Sequence, residues 1–132
     1  MTFGSLFAGI GGMDLGLERA GLRCVWQVEI NDYARRVLAK HWPDVPKWDD
    51  VRTFTGEGFE KPDLIAGGFP CQDISNAGGR AGIDGDKSGL WSEYARIVRT
   101  VRPRFVLVEN VSALLIRGID RVLGDLASCG YD

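Results

Sequence analysis

Residues Thr2–Gly12 have the sequence TFGSLFAGIGG, and this stretch decides the fold of the chain. A short apolar run leads directly into glycines and then into a helical pattern, which indicates a β-strand that turns tightly into an α-helix. Glycines in such a turn let another molecule approach the backbone, and the helix N-terminus behind them attracts negative charge. The turn departs from the dinucleotide-binding fingerprint, because Asp14 stands where that fingerprint has its third glycine.

Strand and helix patterns alternate through all 132 residues, which predicts one α/β domain with a doubly wound, mostly parallel sheet. The usual strand order 3-2-1-4-5 would leave the fifth, apolar strand as an exposed edge, so we expect the sheet to be incomplete there. The predicted strands are Thr2–Leu6, Cys24–Glu29, Val45–Trp48, Leu64–Gly68 and Phe105–Val108. The first predicted helix stops at Gly21, and the second is capped by Asn31 or Asp32 and ends before Pro43. The third runs from Leu90 to Pro103. The last runs from Ile119 to Cys129, with Gly130 as its C-cap.

Composition excludes several classes of protein. A hydrophobic content of 45% and a charged content of 26% are ordinary for a soluble globular domain, and no apolar stretch approaches the roughly 20 residues of a membrane span. The N-terminus lacks the pattern of a signal peptide. Cys24, Cys71 and Cys129 have neither metal-type spacing nor a disulfide framework, so we expect no metal and a cytoplasmic location. The net charge of -2 gives no sign of a nucleic-acid-binding surface by itself.

Acidic residues after the next two strands indicate an adenosine-binding pocket beside the glycine turn. Glu29 ends the second predicted strand, where a carboxylate can accept hydrogen bonds from both hydroxyls of a ribose. Asp50 and Val51 follow the third predicted strand, where a carboxylate can accept a hydrogen bond from an adenine amino group. Since the carboxyl ends of parallel strands share one edge of a sheet, these residues and the glycine turn predict one cofactor pocket.

Cys71 is the candidate nucleophile, because it follows the predicted buried strand Leu64–Gly68 directly, in the run Gly67–Gln72 (GGFPCQ). Glu109 ends the predicted neighbouring strand and can face the same crevice. A carboxyl group beside a thiol raises the pKa of the thiol, so Glu109 is better suited to hydrogen-bonding or protonating a substrate nitrogen. A thiolate that adds to a ring carbon, while an acid relieves charge on the ring nitrogen, would activate a pyrimidine.

With these residues in this order, the chain resembles the cytosine-C5 DNA methyltransferases over essentially all of its length. The glycine turn resembles the family's cofactor loop, Glu29 its ribose acid, and Asp50–Val51 its adenine contact. Gly68–Gln72 resembles the catalytic motif, and Glu109–Val111 the glutamate motif. The resemblance implies a Rossmann-like fold that binds S-adenosylmethionine. It also implies that a cytosine is rotated out of double-stranded DNA, that Cys71 attacks its C6, that Glu109 holds or protonates N3, and that C5 takes the methyl group.

The resemblance also assigns roles to single residues. Residues implied to bind the cofactor are Phe7, Ala8, Gly9, Ile10, Gly11, Gly12, Glu29, Ile30, Asp50, Val51, Pro70 and Leu90. Residues implied to contact DNA are Gln72, Ser75, Arg80, Lys87 and Asn110, of which the first four lie on or beside a long glycine-rich loop, Asp73–Gly89. Loops of this length are usually functional, although a solvated loop face is an alternative for those four residues.

The family carries further segments beyond the part that this chain resembles, including a catalytic arginine and the target-recognition region. We therefore expect a DNA methylation enzyme of the restriction–modification type with little or no activity of its own, which is either truncated or one half of a split enzyme that needs a complementary chain. Three alternatives stay open from the sequence. They are the same chemistry on RNA, a non-catalytic module that binds S-adenosylmethionine or a protein partner, and a nicotinamide oxidoreductase, against which Asp14 and the setting of Cys71 argue.

Overall fold

The computed structural model describes residues 1–70, 89–110, 112 and 114–132 and shows a five-stranded parallel sheet in the order β3-β2-β1-β4-β5. The strands are β1 (Thr2–Leu6), β2 (Arg23–Val28), β3 (Lys47–Trp48), β4 (Leu64–Gly68) and β5 (Phe105–Glu109). The helices are α1 (Gly12–Arg19), α2 (Asp32–His41), α3 (Gly89–Val101), α4 (Leu114–Arg117) and α5 (Ile119–Ser128). In the described part of the chain, no helix has the length and apolar character needed to cross a lipid bilayer.

The predicted fold class and strand order are confirmed, whereas the ends of some elements differ from the predictions. β3 is limited to Lys47 and Trp48, because Pro46 has no N–H to donate and contributes only its carbonyl, which accepts from Gln27 N at 3.0 Å. The short helix α4 was not predicted, since a single turn leaves too few residues for a helical period to show in the sequence.

The predicted N-cap of α2 agrees with the structure, whereas the predicted C-cap of the last helix is one residue too late. Asn31 is the N-cap of α2, and its Oδ1 accepts from Ala34 N at 2.9 Å. Gly130 lies one residue beyond Cys129, which is the C-cap of α5, and its φ of 86° is the left-handed conformation that favours glycine there.

Two apolar layers cover the sheet and leave a crevice at its carboxyl edge. On one face, Phe3, Leu64 and Ala66 pack against Met13 and Leu17 of α1. On the other face lies a larger core that α3 and α5 share with the sheet, and its members include Leu6, Trp26, Val28, Ile65, Trp91, Ile97, Val98 and Val122. The chain moves in opposite directions from β1 to β3 and from β4 to β5, so the carboxyl ends of β1 and β4 mark a topological switch point.

α3 is fixed to both β5 and α5, which places its first turn beside that crevice. The fully buried Tyr94 hydroxyl donates to Leu107 O at 3.0 Å, and burial raises the pKa of Tyr94, so the hydroxyl stays a donor. Trp91 Nε1 donates to Asp125 Oδ2 at 2.8 Å. Leu90 therefore has a defined position at the start of the helix.

β5 is an edge strand that pairs only with β4 among the described residues. Val106 and Val108 are half-buried against the core that α3 covers. Phe105 and Leu107 point to the opposite face and are 43% and 41% exposed. Apolar side chains beside an unpaired strand edge are typical of a surface that another protein segment covers.

Candidate active site

A cleft opens at the carboxyl ends of the strands, at the switch point between β1 and β4. Residues that follow four different strands line it together with the start of α3. The lining residues are Phe7, Val28, Glu29, Ile30, Asp49, Asp50, Val51, Arg52, Gly68, Pro70 and Leu90. Seven of these were predicted from the sequence to bind a cofactor, namely Phe7, Glu29, Ile30, Asp50, Val51, Pro70 and Leu90.

The glycine turn after β1 adjoins this cleft, and its first residue, Phe7, lines the cleft. Gly9 and Gly11 have φ values of 57° and 88°, which glycine adopts without strain, and Phe7 has a φ of 53°, which is strained for a side-chain-bearing residue. A Cβ at Gly11 would stand 2.4 Å from the Trp42 ring, so the end of α2 packs directly beneath the turn. The other residues predicted in this turn, Ala8, Gly9, Ile10, Gly11 and Gly12, are not in the cleft lining.

Glu29 joins the glycine turn to the start of α2. Its Oε1 accepts from Gly9 N at 2.7 Å, and its Oε2 accepts from Asn31 N at 2.8 Å. These two bonds fix the carboxylate in the cleft wall, and each oxygen keeps a lone pair for a further donor. Two backbone amides therefore bind this carboxylate, and neither bond was predicted from the sequence.

Asp50 and Val51 lie in a tight turn two and three residues beyond β3. Asp50 Oδ1 accepts from Arg52 N at 2.9 Å, and Thr53 N donates to Asp50 O at 3.0 Å. Val51 is buried, while the Arg52 guanidinium lies 4.0 Å from Asp50 Oδ2 at the rim. In this turn the Asp50 carboxylate is thus followed directly by the buried, apolar Val51.

Glu109 lies across the end of β4. It is the register partner of Gly68, and a Cβ at Gly68 would stand 2.3 Å from Glu109 Oε2. The missing side chain at this glycine is therefore what lets the carboxylate lie over the strand end. The next residue, Asn110, donates from Nδ2 to Phe69 O at 3.3 Å. The side chains of Glu109, the last residue of β5, and of the following Asn110 thus both lie at the chain segment that leads to Cys71.

Cys71 lies outside the described residues, but the chain that leads to it is described. Phe69 is 2% exposed, and its ring lies 5.4 Å from that of Trp91. Pro70 is exposed and lines the cleft, so the chain leaves the core at Phe69 and reaches the cleft one residue before Cys71. The other predicted positions that lie outside the described residues are Gln72, Ser75, Arg80, Lys87 and Val111.

The sequence reasoning missed four residues of the cleft lining, which are Val28, Asp49, Arg52 and Gly68 as a lining residue. Each is next to or two residues from a predicted position, so adjacency along a strand end is the signal that would have found them. The positive charge of Arg52 at an otherwise acidic rim has no such signal, because its place depends on the turn after β3.

Asp14 lies fully buried beside the glycine turn and explains why the dinucleotide fingerprint is broken there. Its Oδ1 accepts from Ser5 Oγ and its Oδ2 from Gln27 Nε2, both at 2.7 Å. Burial raises the pKa of Asp14, although these two hydrogen bonds oppose the shift. Gln27 Oε1 is buried without a hydrogen-bond partner among the described residues. The carboxylate therefore ties α1 to β1 and β2, where a glycine could not.

The variant Asp14→Asn is expected to gain stability relative to the native chain as pH rises from about 4 towards neutral. The pKa of Asp14 is raised from 3.8 by folding, so its contribution to stability is complete below 3.8 and is lost as pH rises through the folded-state pKa. Asparagine stays neutral, accepts from Ser5, and donates to Gln27 Oε1 once that amide turns. Urea unfolding at a series of pH values measures the difference, and a difference that does not change with pH would contradict the prediction.

The sheet order, the glycine turn and the acid-lined cleft define a Rossmann-like methyltransferase fold. A solved structure from E. coli, assigned as a DNA modification methyltransferase encoded within a prophage, is similar with a TM-score of 0.78 and 26% identity, over 98% of this chain and 37% of that chain. The chain belongs to the C-5 cytosine-specific DNA methylase family, whose sequence pattern matches residues 1–132. Members of this family take their methyl group from S-adenosylmethionine. The predicted family is confirmed.

Curated relatives are Type II methyltransferases. M2.BsuMI of Bacillus subtilis is 43% identical over 117 residues, which are 84% of this chain and 29% of that protein. M.NgoFVII of Neisseria gonorrhoeae is 34% identical over 133 residues, which cover 96% of this chain and 36% of that protein. The chain therefore spans about a third of the length of these relatives.

Proposed function

We propose that this chain is the cofactor-binding and catalytic part of a DNA cytosine-C5 methyltransferase, with Cys71 as nucleophile and Glu109 as the acid that acts on N3. The observation that carries the proposal is the junction of β4 and β5. There Glu109 lies across Gly68 and Asn110 holds Phe69 O, next to a cleft that gathers acidic residues from two further strand ends. A nucleophile one residue beyond Pro70 would face both that acid and the cleft.

The described residues fit an adenosine-bearing cofactor in this cleft. Glu29, held by two amides, is suited to ribose hydroxyls, and Asp50 with the buried Val51 is suited to an adenine ring. Residues Phe7–Gly12 would receive the amino-acid end, with Ile30, Pro70 and Leu90 as apolar walls. S-adenosylmethionine supplies an electrophilic methyl group when it is bound.

Cys71 and Glu109 would carry the reaction on the cytosine ring. The Cys71 thiolate forms a bond to C6 while Glu109 gives a hydrogen bond or a proton to N3, so electron density moves to C5. C5 then forms a bond to the methyl group as the bond between that methyl group and the cofactor sulfur breaks, which would leave S-adenosylhomocysteine. Transfer of the C5 proton to a water molecule lets the bond between Cys71 and C6 break, which restores the ring double bond, regenerates the thiolate and returns the proton of N3 to Glu109.

The proposed substrate is a cytosine in double-stranded DNA that has been rotated out of the stack, at a cost of a few kcal/mol in pairing and stacking. Arg80 and Lys87 would meet phosphates, and Gln72, Ser75 and Asn110 would contact the displaced strand or the base. We place the reaction in the cytoplasm, where a nucleophilic thiol is kept reduced.

The proposal includes a further protein segment that covers β5. The strand edge that is unpaired among the described residues would accept a further strand, and the exposed Phe105 and Leu107 would accept apolar side chains. The relatives carry about two thirds of their length beyond the matched part, which is enough to supply both. That region would act either on the same polypeptide or as a complementary chain.

Methyl transfer from methyl-labelled S-adenosylmethionine tests the proposed function. Supplied with the region that its relatives carry in addition, the chain is expected to label C5 of cytosine in duplex DNA and to leave RNA of the same sequence unlabelled. Label in RNA alone would instead make the protein an RNA methyltransferase. Cofactor binding without label in either nucleic acid would make it a non-catalytic binding module.

A further inference from the structure

Two arginines outside the cleft hold the two backbone segments that carry its carboxylates. These segments are residues 29–31 after β2 and residues 50–54 after β3. Both leave the sheet at strand ends, so their carbonyl groups need partners other than the β-ladder. In each case a guanidinium from a neighbouring helix supplies two hydrogen bonds.

Arg35 of α2 holds the first segment. Its Nη1 donates to Glu29 O at 3.1 Å and to Ile30 O at 2.9 Å. Its Nη2 lies 3.4 Å from Asp32 Oδ1, and the side chain is only 28% exposed. The guanidinium thereby fixes the two peptide groups that flank Ile30, the residue directly after Glu29.

Arg96 of α3 holds the second segment in the same way. Its Nη2 donates to Val51 O and to Phe54 O, both at 2.9 Å, and its Nε donates to Glu93 Oε2 at 2.6 Å. Phe54 is 1% exposed and anchors the end of the segment in the core. The turn that carries Asp50 is therefore held between a core side chain and a charged clamp.

We propose that Arg35 and Arg96 are positioning residues that hold the adenosine-binding walls of the cleft in their binding geometry before the cofactor arrives. The inference rests on the proposed cofactor site. Charge-assisted hydrogen bonds to carbonyl groups are stronger than neutral ones, and the fixed fork of a guanidinium loses little freedom when it forms them. Without the clamp, only a fraction of molecules would present the carboxylates correctly, and the apparent affinity would fall by that fraction.

The chain provides a matched control in Lys47. Its Nζ donates to Trp42 O at 2.5 Å and to Val45 O at 2.7 Å, so it also clamps two carbonyl groups. That clamp closes the turn between α2 and β3, and Lys47 does not line the cleft. Its loss would lower stability without moving either carboxylate.

Calorimetric titration of this chain with S-adenosylhomocysteine, and with 5′-methylthioadenosine, tests the inference. Arg35→Met and Arg96→Met are expected to weaken both ligands about tenfold, because the two ligands share the adenosine group. Lys47→Met is expected to lower the melting temperature similarly but to leave both affinities unchanged. Arg96→Lys, which keeps a charged donor, is expected to recover most of the affinity, and Arg35→Met alone carries the test if Arg96→Met does not fold.

Failure of the inference and failure of the proposed function give different results. Unchanged affinity in folded Arg35→Met and Arg96→Met would overturn the positioning role while the cofactor site stands. The same outcome follows if Lys47→Met weakens binding as much as they do, since the effect would then be loss of stability alone. No binding of either ligand by the native chain would overturn the cofactor site and the inference together.

Discussion

Replacing Cys71 by serine is expected to abolish the covalent complex that the proposed mechanism predicts between the native protein and DNA containing 5-fluorocytosine. A fluorine at C5 cannot leave as a proton does, so the bond between Cys71 and C6 should persist after methyl transfer. Serine has the same shape but a far less nucleophilic oxygen, and removal of a nucleophile costs roughly a thousandfold or more in rate. Denaturing gel electrophoresis of the protein with a labelled oligonucleotide measures the adduct.

Cys24 provides the control for this experiment. It is buried, and burial raises the pKa of its thiol to about 12, so it stays an un-ionised and unreactive thiol. Cys24→Ala should therefore form as much adduct as the native enzyme, measured below the melting temperature of the variant. An adduct that survives Cys71→Ser, or that disappears in Cys24→Ala, would show that the nucleophile has been assigned to the wrong residue.

Replacing Gly68 by alanine is expected to lower the rate of methyl transfer while the fold is kept. The added Cβ would stand 2.3 Å from Glu109 Oε2, and the flexible end of that side chain would move away. Loss of a positioned general acid costs about a hundredfold or more, so Glu109→Gln should be impaired to that extent and Gly68→Ala to a similar or smaller one. The double variant should be no slower than Glu109→Gln, because both changes remove one interaction. If the double variant instead loses the sum of the two activation free energies, Gly68 affects the rate of methyl transfer independently of Glu109.

Gly67→Ala is the matched control, and we expect it to lower the stability of the fold. A Cβ at Gly67 would stand 2.3 Å from the backbone oxygen of Leu6 in the neighbouring strand, which cannot move aside. Overpacking of this kind costs about 1–3 kcal/mol, so urea unfolding should show a loss of stability that Gly68→Ala does not share. Equal losses of stability in the two variants would contradict the prediction that Gly68→Ala lowers activity by displacing Glu109 and leaves the fold intact.

The sequence allowed the fold to be predicted because its local signals agree with one another. Glycines after β1, a cap at Asn31 and apolar strands separated by helical periods all favour the same doubly wound sheet. Element ends were less predictable, because the length of β3 depends on Pro46, which offers its carbonyl group to Gln27 N but has no N–H to donate. Such pairing is a property of two distant segments and not of either alone.

The candidate site was predictable in its residue types and not in its internal contacts. The acids after β2 and β3 could be placed at one edge of the sheet from the rule for parallel strands. The hydrogen bond from Gly9 N to Glu29 and the carbonyl clamp of Arg96 could not, since each joins residues at least 20 positions apart. Asp14 was noted as a departure from a glycine pattern, but its burial against Ser5 and Gln27 became visible only in three dimensions.

Glu109 is the last residue of β5, and β5 has a hydrogen-bonded neighbour on one side only among the described residues. A strand held by one ladder frays more often than one held by two, and each opening would carry the Glu109 carboxylate away from the end of β4. A segment that completes the sheet would therefore also set the fraction of time for which the enzyme is ready to react. Slower exchange of the β5 amide hydrogens would report that readiness directly, before any methyl group is transferred.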